Sequence, residues 1–403
     1  MRYSKEEVMQ YVQEEDVKFI RLAFCDVFGK QKNISIVADE LPRAFEYGIA
    51  FDASAITGFG DETRSDLFLW PEPETLTWLP WRPEHGKVVR MFCTIRRPDG
   101  SVFECDTRSL LKAAVSDAKA AGLTFFFGAE QEFYLFELDD RNMPTAVPYD
   151  HAGYMDIAPE DKGENVRREI CLTLEQMGIR PESSHHEEGP GQNEIDFRYT
   201  EALEAADNVM TFQTVVRTVA RRNGLFADFS PKPLESAPGN GFHINFSVQP
   251  DLGSSNLNAA IAGILAKAVP MTVFLNPAEN SYRRLGKMKA PGFLSWSSEN
   301  RSQLIRIPAA SGEFRRAELR SADPSANPYI AFTLMIRAAL YGIENRLTLP
   351  APADFNLYKA DEKLLATLEK LPADLKEAKK AAAADGFVAD FIPEQIMNIY
   401  CGE

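Results

Sequence analysis

The sequence predicts an α+β fold in which helices support an antiparallel sheet, and three observations lead to this prediction. The first hundred residues alternate apolar and polar residues in the manner of strands around short turns. In the rest of the chain, strand-like stretches alternate with stretches whose apolar residues have helical spacing. With 403 residues, of which 45% are hydrophobic, the chain is long enough for two or three domains with cores of their own.

The N-terminal elements follow in order. Ser4 and Glu7 form a capping box, which predicts a helix over about residues 5–14. The strand pattern predicts strands at 17–26, 31–38, 75–81 and 87–95, with a turn at 27–30, a glycine-bearing loop at 51–66 and a turn at 97–100. The residue pattern changes from strand-like to helical near 100–106, which predicts a domain of residues 1–103 and a second domain of residues 104–403.

In the second, larger part of the chain, the sequence predicts helices that end at glycines, with strands between them. The helices are expected at 107–122, 163–177, 200–222 and 328–344, the last capped by Asn327-Pro328, with a solvated helix at 375–386. The strands are expected at 124–138, on both sides of the Gly189-Pro190-Gly191 turn, and at 241–248, 300–308 and 315–321.

Charge and cysteine content exclude several classes of protein. The chain has 44 basic and 59 acidic residues, a net charge of −15 that disfavours binding to nucleic acid or anionic lipid. No run of about 18 consecutive apolar residues and no N-terminal signal peptide are recognised. The five cysteines are scattered without a CxxC pair, which fits a reducing cytoplasm and argues against a thiolate zinc site.

Ionisable residues recur on one face of several predicted strands, because residues two apart point the same way. These sets are Glu130 with Glu132, Glu194 with Asp196 (and Glu187 before the turn), His243 with Asn245 and Ser247, and Arg316 with Glu318 and Arg320. Each set taken singly would also be expected of a strand with one solvent-exposed face. Together, five glutamates and one histidine need compensating charge, and oxygen ligands with one imidazole suit Mg²⁺ or Mn²⁺.

Arginines are dense in the C-terminal half of the chain, at positions 283, 284, 301, 306, 315, 316 and 320. They could form a salt-bridged surface, or a clamp for phosphate and carboxylate groups, which guanidinium binds bidentately. Metal ions held by carboxylates beside arginines point to phosphoryl transfer. No GxxxxGK[ST] motif occurs, so a nucleotide site would not be a P-loop.

At this point the motifs are similar to those of a known family, glutamine synthetase of the bacterial and archaeal type I. The matching segments are GAEQEFYLF, HHEEGPGQNEIDF, PKP followed by GNGFHINFS, NPAENSYRRL, SSENRSQLIRIP and RAELRSADPSANPY, in the family's order from about residue 8 to 346. The resemblance implies an N-terminal β-grasp domain and a catalytic domain with a curved antiparallel sheet. It also implies active sites between neighbouring subunits of a homo-oligomeric ring of six, commonly two stacked rings.

The resemblance also implies roles for individual residues. Glu132, Glu187 and Glu194 would bind the metal that organises glutamate and ammonia, and Glu130, His243 and Glu318 would bind the metal on the ATP phosphates. Arg284 and Arg320, with the Gly239 backbone, would hold glutamate. Arg301, Arg306 and Arg316 would contact phosphate, and Tyr199 and Ser247 would line the nucleoside pocket. Asp52 would reach the neighbouring subunit's site and take a proton from ammonium.

The implied activity is an ATP-dependent ligation of glutamate, through γ-glutamyl phosphate, to ammonia or an amine. The sequence departs from the family in the flap, where Gly286–Pro291 places Lys289 at the position of a glutamate that normally binds ammonium. Ala55 and Pro238 also replace a serine and an asparagine of the pattern. Two alternatives therefore stay open: a γ-glutamyl ligase for an organic amine, and a non-catalytic, ring-forming protein that binds nucleotide and metal.

Overall fold

The N-terminal part of the chain folds around a six-stranded sheet. Its elements are α1 (Lys5–Glu14), β1 (Val17–Cys25), β2 (Gln31–Val37), α2 (Leu41–Tyr47), β3 (Ile49–Asp52), β4 (Asp66–Pro71), β5 (Thr77–Trp78) and β6 (Lys87–Arg96). In this computed structural model, which describes residues 3–82, 85–310, 312 and 315–402, the strand order is β2-β1-β6-β4-β3, and β5 pairs with β6. β1 and β6 are parallel, and the hairpin of β1 and β2 is antiparallel.

Most N-terminal predictions are confirmed. The Glu7 amide donates to Ser4 Oγ (3.2 Å) and the Ser4 amide to Glu7 Oε2 (2.7 Å), so the capping box is present at the start of α1. Two predictions are wrong in extent. The strand expected at 75–81 is limited to β5, and the loop expected at 51–66 includes the last residues of β3 and the first of β4. The pattern did not predict α2, a short helix with a proline in its first turn.

The larger part of the chain contains a ten-stranded sheet and ten helices within the described residues. The strands are β7 (Thr124–Leu138), β8 (Pro144–Pro148), β9 (Pro181–His186), β10 (Gln192–Phe197), β11 (Thr200–Glu201), β12 (Leu225–Asp228), β13 (Phe242–Gln249), β14 (Trp296–Ser298), β15 (Ile305–Ile307) and β16 (Ala317–Leu319). The helices are α3 (Thr107–Ala120), α4 (Glu164–Gln176), α5 (Ala202–Arg222), α6 (Ser255–Leu275), α7 (Ser281–Arg284), α8 (Pro328–Glu344), α9 (Glu362–Leu365), α10 (Leu375–Ala384), α11 (Gly386–Phe391) and α12 (Glu394–Cys401).

The long strand β7 organises this second sheet, whose order is β14-β15-β16-β13-β7-β10-β9. β8, β11 and β12 also pair with β7. All pairs in the sheet are antiparallel except β14 with β15. The predicted α+β fold with an antiparallel sheet is confirmed, and the observed bounds of β7 are those predicted. The strands expected at 300–308 and 315–321 are shorter than predicted, because within these two stretches only the residues of β15 and β16 pair with neighbouring strands.

One face of β7 is buried under helices and the other is left for polar side chains. Phe125, Phe127 and Phe133 are buried on the helix side, and the ring of Phe127 stacks on Phe332 of α8 at 4.3 Å. The intervening residues, Glu130 and Glu132, point to the opposite face because side chains alternate along a strand. The sheet therefore separates the hydrophobic core from the polar face predicted from the sequence.

The helix α6 was not predicted from the sequence. It is 21 residues long, and among the described residues it alone has the length and apolar composition that crossing a membrane would require. Most of it is buried inside the protein against α8. A core helix passes the same test, and the position of α6 is that of a core helix.

Candidate active site

Two adjoining cavities lie on the polar face of the large sheet. The larger cavity, of about 480 Å³, is lined mainly by acidic residues and arginines. The smaller cavity, of about 300 Å³, has the aromatic residues Phe126, Phe197 and Tyr199 in its wall. Glu130, Asp196 and Arg316 line both. The arrangement offers a charged compartment that opens next to a partly apolar one.

Strand register brings the carboxylates together. Glu132 of β7 lies opposite Glu194 of β10, and Glu130 lies opposite both Asp196 and His243 of the two neighbouring strands. The candidate ligand atoms of Glu130, Glu194 and His243 lie within 4.8 Å of one another. The same holds for His185, Glu187 and Glu194. Glu194 thus belongs to both groups, which form a continuous acidic cluster.

The acidic cluster holds more negative charge than its protein surroundings compensate. Burial, reinforced by the Glu132 carboxylate, raises the pKa of Glu187 to about 8. Burial and the carboxylates of Asp196 and Glu132 hold the pKa of Glu194 well above its ordinary value. Burial and Glu130 likewise raise the pKa of Asp196 to about 7. Carboxylates that repel one another in this way favour a divalent cation.

His243, one of the two histidines in the cluster, is in the right state to bind a metal ion. Burial, with Arg320 nearby, lowers the pKa of His243 to about 3. Its imidazole is therefore neutral and has a lone pair to offer. A donor set of carboxylate oxygens with a neutral imidazole fits Mg²⁺ or Mn²⁺.

Glu132 and Arg284 are fixed by hydrogen bonds to the backbone. Glu132 Oε2 accepts from the Gly241 amide (2.7 Å) and from Gln192 Nε2 (3.0 Å). Arg284, at the end of α7, donates from Nη1 to the Ser321 carbonyl (2.7 Å) and from Nη2 to the Arg320 carbonyl (3.2 Å). A Cβ at Gly239 would lie 2.3 Å from the Pro231 carbonyl oxygen and 3.0 Å from Arg284 Cγ, so the loop can pass this close to both residues only with glycine there.

Glu318 lies fully buried at the edge of the cluster. Arg320 Nη1 forms an ion pair with its Oε1, and Arg306 Nη1 donates to its Oε2 at 2.7 Å. His243 Nδ1 is 3.8 Å from Glu318 Oε1. The two arginines supply the positive charge that this carboxylate requires for burial.

The structure places most of the residues predicted for the site in the larger cavity. Those that line it are Glu130, Glu132, Glu187, Glu194, Gly239, His243, Arg284, Lys289, Arg301, Arg306, Arg316 and Arg320. Tyr199 and Ser247 line the adjoining smaller cavity. Asp52 lies elsewhere in the chain: it is exposed at the end of β3, where its Oδ1 accepts from the Ser54 amide (2.9 Å) and hydroxyl (2.7 Å).

Among the cavity residues that were not predicted from the sequence are His185, Glu188 and Tyr154. His185 lies opposite Glu194 in the ladder, with its Nε2 3.4 Å from Glu194 Oε1. Glu188 and Tyr154 lie at the flap, where Lys289 forms an ion pair with Glu188. The doubled pair His-His-Glu-Glu before a tight turn was the available signal for His185 and Glu188. Nothing in the sequence pattern around Tyr154 indicated its position.

Two models of protein families match the chain. The model described as "Glutamine synthetase, beta-Grasp domain" matches residues 16–98, and "Glutamine synthetase, catalytic domain" matches residues 104–402. The glutamine synthetase of Clostridium saccharobutylicum is 44% identical in an alignment that spans 94% of this chain and 88% of that protein. That of Methanosarcina mazei is 42% identical, over 98% of this chain and 92% of that protein.

Solved structures of similar shape cover almost the whole chain. A structure described as a complex of GmaS with ADP superposes with a TM-score of 0.87 at 28% identity, over 96% of this chain and 93% of that one. The glutamine synthetase of Plasmodium falciparum has the same TM-score at 22% identity, over 100% of this chain and 95% of that one, and supports the fold alone.

Proposed function

Because the chain belongs to the glutamine synthetase family, we propose that it is an ATP-dependent ligase that joins the γ-carboxylate of glutamate to ammonia. Its fold is that of the family, a β-grasp domain followed by a larger catalytic domain with a curved sheet and supporting helices. The observation that carries the proposal is the acidic cluster, which meets five arginines in one cavity beside an aromatic-walled pocket. The relatives named glutamine synthetase favour ammonia over the two alternatives raised by the flap.

The two halves of the acidic cluster would hold two divalent cations, as the family pattern suggests. Glu132, Glu187 and Glu194 would form one set, and Glu130, His243 and Glu318 the other. Support comes from the short separations within the cluster and from the neutral His243 imidazole. Bound Mg²⁺ or Mn²⁺ would neutralise charge on the phosphates and on the substrate carboxylate. The choice between these two ions is part of the proposal.

The chain's own residues would position both substrates. Arg284, Arg320 and the Gly239 backbone would bind glutamate, and Tyr199 and Ser247 would contact the nucleoside. Arg301, Arg306 and Arg316 would stabilise the charge that develops on the phosphoryl group. The glutamate γ-carboxylate oxygen forms a bond to the γ-phosphorus as the bond to ADP breaks. Ammonia then attacks the acyl carbon and expels phosphate, leaving glutamine and a proton.

Asp52 would act on a second copy of the chain. It is exposed on the N-terminal sheet and does not line the cavity of its own subunit. Its hydrogen bonds to Ser54 lower its pKa and keep the carboxylate ionised. We therefore place it at the cavity of the neighbouring subunit, in a ring of six or in two stacked rings. The division of the chain at residue 103 stays a prediction, and so does a cytoplasmic location, which the five free cysteines support.

Phosphate release tests this function directly. We expect release that requires ATP, glutamate, ammonium and Mg²⁺ or Mn²⁺ together, with glutamine as the product. Glu132→Gln should abolish it, because the neutral side chain keeps the shape but loses the charge that binds the cation. The matched control is Glu137→Gln, an exposed glutamate on the same strand, which should keep full activity. Turnover with organic amines and none with ammonium would overturn the proposal.

A further inference from the structure

We propose that the ammonium group of Lys289 competes with the acceptor ammonium ion for the carboxylate of Glu188, so that these two residues set the enzyme's affinity for its acceptor. The inference rests on the proposed function, because it concerns the cationic substrate of that reaction. It assigns to Glu188 a binding role and to Lys289 an inhibitory one.

The Lys289 side chain occupies a cradle that suits a small cation. Its Nζ forms an ion pair with Glu188 and lies 5.6 Å from the centre of the Tyr154 ring. A carboxylate and an aromatic face both attract an ammonium group. Since the head group of lysine is itself a primary ammonium, the same two partners can bind a free ammonium ion.

The cradle belongs to the cavity where the reaction is proposed to occur. Tyr154, Glu188 and Lys289 line the same cavity as Glu132, Glu187 and Glu194. Glu188 directly follows Glu187 in the chain, and its backbone amide donates to Glu187 Oε2 at 3.0 Å. The Tyr154 ring contacts His185 at a centroid distance of 5.4 Å. A cation bound in the cradle therefore lies beside the acidic cluster.

The contact between Lys289 and Glu188 is weak enough to be exchanged. The two side chains are 56% and 36% exposed, and exposed ion pairs contribute little net free energy. The flap does not depend on this pair, because the Gly286 amide donates to the Pro291 carbonyl (3.2 Å) and the Ala290 amide to the Lys287 carbonyl (3.0 Å). The lysine head can leave the cradle while the turn of the flap stays closed.

Substrate kinetics test the competition. Lys289→Ala should lower the KM for ammonium about two- to fivefold, the factor that corresponds to a weak exposed ion pair. The KM values for glutamate and ATP should not change. Lys287→Ala removes the same charge from the same flap, at a lysine that forms no ion pair with any described residue, and should leave the KM for ammonium unchanged.

A double-mutant cycle separates competition from a general change of the flap. Glu188→Gln should raise the KM for ammonium about two- to fivefold, because the acceptor loses its carboxylate. In that background, Lys289→Ala should have no further effect, since there is no carboxylate left to compete for. With hydroxylamine, which is uncharged near neutral pH, neither variant should alter the KM.

Ammonium binding without turnover distinguishes this inference from the proposed function. The rise in melting temperature with NH₄Cl, measured against NaCl at equal ionic strength, gives the half-saturating concentration, which should fall in Lys289→Ala. If Lys289→Ala lowers the half-saturating concentration but no glutamine is formed, the proposed function is wrong and the competition for Glu188 is supported. Glutamine formation with the same KM and the same half-saturating concentration in wild type and Lys289→Ala would overturn the competition.

Discussion

Arg108 is a buried cation shared by two carboxylates from different parts of the chain. It is 4% exposed, and it donates to Asp207 of α5 (2.9 and 2.8 Å) and to Glu72 next to β4 (2.6 Å). Although burial opposes ionisation, Arg108 and Lys112 lower the pKa of Glu72 to about 2. Removing one member of such a network leaves the remaining charges buried without a partner.

We expect Arg108→Met to lower the free energy of unfolding by about 3–5 kcal/mol, because Glu72 and Asp207 would lose the cation they share. Chemical denaturation at constant subunit concentration measures this change. Arg97→Met is the control, since Arg97 pairs with Glu104 at the surface and should contribute at most about 1 kcal/mol. Equal losses of unfolding free energy in the two variants would show that burial does not make the Arg108 network more important than a surface ion pair.

Glu187 gives the site a pH dependence whose direction can be worked out. Its pKa of about 8 lies above the ordinary value of 4.5, so between these two pH values the folded protein holds a proton that the unfolded chain has lost. The metal-free protein therefore loses stability as the pH rises towards 8. A divalent cation needs the ionised carboxylate and must displace this proton.

We expect Mn²⁺ or Mg²⁺ binding at pH 7 to release protons and to tighten by up to about tenfold per pH unit below pH 8. Calorimetry in buffers of different ionisation enthalpy measures the number of protons released. Glu187→Gln should reduce that number as well as the affinity. Affinity that does not vary between pH 6 and 8 would exclude the raised pKa.

At the scale of elements, two glycines allow α6 and α8 to cross closely. A Cβ at Gly263 would lie 2.1 Å from the Ala338 carbonyl oxygen, and one at Gly342 would lie 2.0 Å from that of Ala259. The helices would have to separate to accept any side chain at either position. Packing between these two apolar helices thus depends on residues that contribute no hydrophobic surface of their own.

We expect Gly263→Ala to destabilise the protein by about 1–3 kcal/mol, since overpacking shifts the backbone of both helices. The apparent melting temperature should fall accordingly. Gly386→Ala is the matched control, because a Cβ at this helical glycine meets no atom within 4 Å. The control should be neutral or slightly stabilising through the lower entropy of the unfolded chain. A stable Gly263→Ala protein would mean that the helices can move apart without cost.

At the scale of the whole molecule, Asp52 and the acidic cluster are proposed to meet only between copies of the chain. Asp52→Ala and Glu132→Gln should each be inactive when prepared alone. When the two proteins are unfolded and refolded together, about a quarter of the sites should combine an intact Asp52 with an intact cluster, and activity should return in proportion. Mixing without refolding is the control. No recovery in refolded mixtures of the correct oligomeric size would place Asp52 in its own subunit's site.

Much of the architecture and of the candidate site followed from local patterns. Alternation of apolar and polar residues identified β7 and β13, and shared strand faces selected Glu130, Glu132, Glu194 and His243, which the register brings together. Alternation and capping are properties of neighbouring residues, so they can be recognised without knowledge of the fold. The same reasoning missed α6, whose apolar residues surround the helix and therefore leave no periodic pattern.

By itself, the sequence determined which residues face which side of each strand, and through its motifs the family and the chemistry expected of it. Only the tertiary structure decided which charges distant in sequence meet: Arg306 on Glu318, Arg108 between Glu72 and Asp207, and Lys289 on Glu188. The physical reason is distance along the chain. Each of the contacts to Arg306, Arg108 and Lys289 joins residues that are at least 12 positions apart, and such pairs form only once strands and helices have packed.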